Sequence, residues 1–181
     1  TPMPTAEIRR ALNANLPDDI SIISVQNADK KFHAQFCAKQ KTYQYTILNR
    51  PFRCSQQRCF VHFHPYTLNL SSMRRVAAVL KGCHDFRSLT ATDPASRSKK
   101  KNTVRTISHL TITKDGDFLH IKISANGFLY KMVRNIVGLL LDAGRGKILP
   151  QDAKRILDAQ NRTKASITAP AKGLCLIRVK Y

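Results

Sequence analysis

Residues 104–124 decide the fold, and they read VRTISHLTITKDGDFLHIKIS. On both sides of Asp115-Gly116 apolar and polar residues alternate, which is the period of a strand with one buried face. An Asp-Gly pair between two such runs favours a tight turn, because glycine adopts positive φ without steric cost. The stretch therefore predicts an antiparallel hairpin, around which the other elements can be placed.

Helical patterns lie on both sides of this hairpin. Over 128–143 apolar residues recur at intervals of three and four, as in a helix with one buried face. This stripe consists of Leu129, Met132, Val133, Ile136, Val137 and Leu140. Shorter patterns of the same kind predict helices over 5–16, 69–80 and 151–160.

Strand-like runs occupy 20–25, 32–48 and 174–179. A hairpin with helices in separate crossovers predicts an α+β fold: a mostly antiparallel sheet with helices packed on one face. The other face would be free of helices, as it is in RRM-like and ferredoxin-like sheets, which bind RNA on that side.

The charge of the chain is strongly one-sided. Its 181 residues contain 31 Lys and Arg but 11 Asp and Glu, a formal net charge of +20. Between Asp29 and Asp85 there is no acidic residue. Bases that meet phosphates release counterions, so such a chain favours a nucleic acid as its partner. A membrane is not expected, because there is no Trp, no lipidation motif and no apolar run of about 18 residues.

The five cysteines are irregularly spaced, which favours reduced thiols and a cytoplasmic protein. The order Cys54, Cys59, His62, His64 does not have a standard zinc-ligand spacing, so no metal is expected. Cys83-His84 has no evident third group to orient it, so a thiol catalyst is not expected either.

Several stretches are more specific than these patterns. They read FHAQF (32–36), KTYQY (41–45), GCHDFRS (82–88), NGFLYKMVRNIVG (126–138) and TAPAKGLCL (168–176), together with ALNA (11–14) and TVRTI (103–107). In this order and at this spacing they resemble the tRNA pseudouridine synthase A family, and the resemblance runs nearly from end to end. It implies a pseudouridine synthase-like fold and an enzyme that isomerises uridine in the anticodon stem-loop of tRNA. It also implies that no cofactor is used and that the functional state is a homodimer.

The resemblance also implies roles for individual residues. Arg134 is expected to be the basic partner of the catalytic carboxylate, and Tyr43 to contact the substrate uracil. From the residues alone, the alternatives are that Tyr43 is a core aromatic and that Arg134 is an ordinary arginine on the flank of a helix. Leu174 and Leu176 are expected to line the uracil pocket. The RNA-binding residues are expected to be Lys39, Lys41, Arg97, Lys99, Lys100, Lys101 and Arg105.

The chain departs from the family in one important respect. The family's nucleophilic aspartate lies in a Gly-Arg-Thr-Asp-type motif, and this sequence has no such motif. We therefore expect 1–30 to be the end of an N-terminal half-domain, a helix plus a linker strand, and 31–181 to be the C-terminal synthase domain. The chain is then either part of a longer enzyme or a short protein that keeps the binding half, a non-catalytic basic RNA-binding module. Gln35 also stands where the family often has Arg.

Overall fold

The computed structural model describes residues 3–91 and 102–181. The chain divides into two units, Thr1–Cys37 and Ala38–Tyr181. In the first unit helix α1 covers Thr5–Asn15. The run at 20–25 forms no strand, because its backbone bonds a side chain instead: the Ile22 N–H donates to Asn13 Oδ1 at 2.7 Å, and Asn13 Nδ2 donates to the Ile22 carbonyl.

A six-stranded sheet forms the second unit. Its strands are β1 Gln40–Asn49, β2 His62–His64, β3 Gly82–Asp85, β4 Val104–Asp115, β5 Phe118–Ala125 and β6 Leu174–Lys180. The order is β2-β1-β5-β4-β3, and β6 pairs with β1 on the edge that β2 also uses. Only the short β1–β2 pairing is parallel among the described strands, so the predicted mostly antiparallel α+β fold is confirmed.

Helices cover one face of this sheet. They are α2 Leu70–Leu80, α3 Met132–Gly144 and α4 Pro150–Asp158, with short 3-10 turns at Arg87–Leu89, Arg162–Lys164 and Ala171–Gly173. The strands contribute Tyr45, Ile112 and Ile121 to the core that these helices close, and all three are at most 5% exposed. Burying this apolar surface is the main stabilising contribution to the unit.

Polar side chains occupy the opposite face of the sheet. Thr42 and Ser124 hydrogen-bond through their hydroxyl groups at 2.8 Å. Gln44 and Thr46 both lie within 3.3 Å of the His120 ring nitrogen Nδ1. The apolar residues of the alternating sequence pattern therefore face the helices, and the polar residues point away from them.

Two predicted boundaries are wrong for local backbone reasons. Helix α3 begins at Met132 rather than at 128, because Lys131 adopts a left-handed conformation with φ of 57°. Strand β1 begins at Gln40 rather than at 32, because 33–37 form a turn in which the Cys37 N–H donates to the His33 carbonyl.

Candidate active site and nucleic-acid interface

Strands β1 and β6 bring three of the predicted substrate residues side by side. The antiparallel register pairs Tyr43 with Leu176 and Tyr45 with Leu174. Tyr43 is half-buried, and its ring meets the ring of Phe128 edge-on at a centroid distance of 5.1 Å. Leu176 is 47% exposed. One face of the β1–β6 pair therefore offers an aromatic ring and an accessible aliphatic side chain next to each other.

Arg134 lies in the first turn of α3 and is held by a backbone loop. Its Nε–H donates to the Ala169 carbonyl at 2.6 Å, and the Ala169 N–H donates back to the Arg134 carbonyl at 3.1 Å. In the part of the chain that the structure describes, no carboxylate lies within 4.0 Å of its guanidinium. The terminal nitrogens of Arg134 are therefore available for a further acceptor.

Tyr45 holds the next carbonyl of the same loop. Its side chain is fully buried, and its hydroxyl donates to the Pro170 carbonyl at 2.8 Å. Burial raises the pKa of the Tyr45 phenol, and the nearby charge of Arg134 offsets part of that increase. Because the phenol stays protonated, Tyr45 acts as a permanent donor to residues 167–173, which we call the linker segment.

Two glycines allow the linker segment to approach the sheet and α3 closely. A Cβ on Gly138 would lie 1.9 Å from the Ile167 carbonyl oxygen, far inside van der Waals contact. A Cβ on Gly173 would lie 2.8 Å from the Thr46 carbonyl and 2.9 Å from the Tyr45 ring. Larger residues at either position would push the linker segment away from Tyr45 and Arg134.

A buried polar network fixes where the linker segment starts. Asn135, fully buried in α3, donates to the Leu89 carbonyl at 2.8 Å and accepts from Thr168 and Arg162 at 2.6 and 3.1 Å. Arg162 also donates to the Ala165 and Ser166 carbonyls. The sequence interpretation missed these residues, although a polar side chain within the apolar α3 pattern was the available signal.

The described basic residues of the predicted RNA interface lie at the ends of strands. Lys41 pairs with Ala125, and Ala125 pairs with Ile107 on β4, two residues from Arg105. Lys39 and Lys41 thus lie at the same end of the sheet as Arg105. Lys39 is exposed, whereas the Arg105 guanidinium already donates to the Asn102 and Val104 carbonyls. The other predicted RNA contacts, Arg97, Lys99, Lys100 and Lys101, lie outside the described residues.

Both ring nitrogens of His64 have protein partners. Nδ1 lies 2.9 Å from the Tyr66 carbonyl, and Nε2 accepts from Arg145 Nε at 3.1 Å. Within 3–91 and 102–181 no group of three or more His, Cys, Asp or Glu residues could hold a metal ion.

None of the described helices is long and apolar enough to cross a membrane.

Comparison with known proteins gives a consistent result. A sequence model of tRNA pseudouridine synthase matches residues 76–181. The tRNA pseudouridine synthase A of Thermoanaerobacter sp. (strain X514) is 45% identical over all 181 residues, which cover 72% of that enzyme. The Clostridium acetobutylicum and Caldicellulosiruptor bescii enzymes of the same name are 41% and 39% identical over 100% and 99% of this chain, and 72% of each is covered. This chain belongs to the tRNA pseudouridine synthase family.

Proposed function

We propose that this chain provides the tRNA-binding surface and the uracil-contacting residues of a tRNA pseudouridine synthase. The observation that supports this most is the convergence of Tyr43, Leu174 and Leu176 on paired strands, with Arg134 anchored to the adjoining linker segment. The reaction breaks the N1–C1′ bond of uridine and joins C5 to C1′; the hydrogen on C5 leaves as a proton, and N1 takes up a proton. It is an isomerisation, so its balance needs no oxidant, reductant or cofactor.

Arg134 would orient the carboxylate that reacts with the nucleoside. Its Nε is already bound to the Ala169 carbonyl, so the terminal nitrogens face the acceptor in a fixed direction. An arginine held in this way can bind a carboxylate with two charge-assisted hydrogen bonds. Tyr43 would contact the flipped base, and Leu174 and Leu176 would provide the apolar wall beside it.

The tRNA would be held by phosphate contacts at the end of the sheet where β1 begins. We assign these contacts to Lys39, Lys41 and Arg105, and also to Arg97, Lys99, Lys100 and Lys101 outside the described residues. Lys39 supports this assignment best, because it is exposed. The substrate region would be the anticodon stem-loop. Competition between intact tRNA and an isolated anticodon stem-loop would test it, and failure of the stem-loop to compete would contradict it.

The catalytic carboxylate would come from outside the residues described here. No Gly-Arg-Thr-Asp-type motif occurs in the sequence, and none of the described carboxylates is within reach of Arg134. The chain by itself would therefore bind tRNA without forming pseudouridine. A binding module without catalysis is the second candidate function, and the same observation favours it for the isolated chain.

Replacement of Tyr43 tests the assigned site. In an enzyme that contains this chain and an active nucleophile, we expect Tyr43→Ala to lower kcat by about a hundredfold, because a group acting on the reacting base is lost. Its Kd for tRNA should change by less than about threefold, because most binding energy comes from phosphate contacts. Tyr66→Ala is the matched control, since Tyr66 is 68% exposed and lies outside the site. A variant that loses affinity but keeps its kcat would mean that Tyr43 only helps to dock the RNA.

Self-association and cellular location are also part of the proposal. Strand β6 has a partner in β1, and its Ile177 is 43% exposed, so it offers an edge for a second copy. Light scattering should give the mass of two chains, and a monomer at all concentrations would contradict the homodimer.

The five free cysteines support a reducing, cytoplasmic location, which cell fractionation would check.

A further inference from the structure

A cationic cleft lies near the end of β1 that is remote from Tyr43. It has a volume of about 230 Å³ and is open to solvent on one side. Its charged and polar lining comes from Arg53, Cys54, Arg58, His62 and Lys172, and Pro170 of the linker segment forms part of its wall. No carboxylate is among the lining residues.

The cations of this cleft are not neutralised by the described residues. The Arg58 guanidinium donates to the Ser55 carbonyl at 3.2 Å, and the Arg53 guanidinium lies over the Phe63 ring at 5.3 Å. By contrast, Arg50 just outside the cleft forms an ion pair with Asp117 at 3.2 Å. Lys172 follows the linker segment's Pro170 by two residues and brings a third positive charge. An anion entering the cleft would therefore meet three cations without displacing a carboxylate.

His62 responds to the same positive surroundings. Burial, together with the charges of His64, Lys172 and Arg145, lowers the pKa of His62 to about 4. At neutral pH its imidazole is therefore uncharged and can donate or accept one hydrogen bond. A neutral donor next to guanidinium groups suits a phosphate oxygen, since hydrogen bonds from both kinds of group can converge on it.

The position of the cleft relates it to the site of the proposed function. His62, which lines the cleft, pairs with Ile47, four residues beyond Tyr43 on the same face of β1, a distance of about 13 Å along the strand at ~3.3 Å per residue. Pro170 of the cleft directly follows Ala169, the anchor of Arg134. A polynucleotide whose uridine lies against Tyr43 can therefore continue along the linker segment into the cleft.

We propose that this cleft, through Arg53, Arg58 and Lys172, binds a backbone phosphate of the tRNA outside the target nucleotide. This inference rests on the proposed function and assigns it a second contact region. The openness of the cleft fits a diester that belongs to a long chain. An enclosed pocket, which would fit a free nucleotide, is not what these residues form.

Charge removal in the cleft is the direct test. We compare Arg53→Gln/Arg58→Gln with the charge-matched control Lys147→Gln/Lys154→Gln, whose two lysines are exposed on and beside α4. We expect the cleft variant to bind tRNA at least about tenfold more weakly, and the slope of log Kd against log salt to fall by about one or more. The control should stay within about twofold of the unmodified chain. Equal affinities and slopes for the two double variants would overturn the proposal.

A conservative pair separates binding from folding. Arg53→Lys/Arg58→Lys keeps both charges, so it should retain most of the affinity and salt dependence that the glutamine variant loses. If the lysine variant loses as much as the glutamine variant while both keep the circular dichroism of the unmodified chain, a phosphate contact through charge is contradicted.

Cys54 provides an independent measurement in the unmodified chain. Because it lines the cleft, tRNA should slow its alkylation at least about fivefold, while the exposed Cys83 on β3 should react at an unchanged rate. Inorganic phosphate is the comparison probe. If millimolar phosphate protects Cys54 and tRNA does not, the cleft is a small-anion site and the proposal is wrong.

The two proposals fail in different ways. If the unmodified chain shows no salt-dependent tRNA binding, the proposed function is contradicted and the cleft assignment with it. If the unmodified chain binds tRNA and the glutamine variant binds equally well, only the cleft assignment is contradicted.

Discussion

Tyr45 and Arg134 hold two consecutive carbonyl groups, those of Pro170 and Ala169. The two donors come from different elements, β1 and α3, and meet on one short stretch of backbone. Because each carbonyl is held by a side chain, the linker segment cannot shift without breaking one of these bonds. At the scale of residues, this arrangement connects the strand that carries Tyr43 with the helix that carries Arg134.

His62 gives a prediction for pH dependence at the same scale. Its pKa is about 4 in the folded chain and 6.5 ordinarily, and the pKa of His64 is lowered as well, mainly by burial. Between these pH values the unfolded chain takes up a proton that the folded chain does not. The free energy of unfolding should therefore fall as the pH decreases from about 6.5 to about 4.

Urea denaturation at a series of pH values measures this effect. In His62→Asn the loss between pH 6.5 and 4 should be smaller than in the unmodified chain, because one of the two imidazoles with a lowered pKa is gone. Comparing the two chains cancels the contribution of the carboxyl groups, which titrate in the same range. Identical losses in both chains would contradict a lowered pKa of His62.

At the scale of elements, the network around Asn135 ties α3 to two loops. Asn135→Ala would remove its amide from the Leu89 carbonyl and leave Arg162 and Thr168 without their shared acceptor. We expect the free energy of unfolding to fall by about 2 kcal/mol, because buried polar groups lose their partners. Gln151→Ala, at an exposed position of α4, should change it by less than ~0.5 kcal/mol. Equal urea midpoints for the two variants would show that this network contributes nothing.

Periodicity predicted the long elements and failed for the short ones. The β4–β5 hairpin, α2 and β6 are confirmed within a residue or two, because each contains several repeats of its pattern. The short strands β3 and β2 were not located, since four and three residues are too few to show a period. The start of α3 depends on the left-handed Lys131, which no hydrophobic pattern reports.

The candidate site was predictable only in part, because some of its residues meet only in the folded chain. Tyr43, Leu174 and Leu176 were singled out by resemblance, and their register as neighbours follows from strand pairing. Their roles stay predictions. The cationic cleft was not anticipated, because Lys172 is far from Arg53 and Arg58 in sequence and meets them only through the fold.

At the scale of the whole molecule, charge should govern the affinity for RNA. The stretches 30–84, 94–114 and 159–181 contain no Asp or Glu, and the net charge is +20. Raising the salt concentration from about 50 to 200 mM should weaken tRNA binding at least about a hundredfold, since released counterions drive the association. Filter binding at several salt concentrations measures this, and an unchanged Kd would refute an electrostatic interface.

The most direct measurement is release of tritium from tRNA labelled at uridine C5. It compares this chain alone with the same chain joined to the part of the Thermoanaerobacter enzyme that it does not match. The joined protein should release tritium, the chain alone should release none, and Arg134→Gln should lower release from the joined protein at least about a hundredfold. Release by the chain alone would contradict the account, as would a joined protein that folds and binds tRNA but releases no tritium.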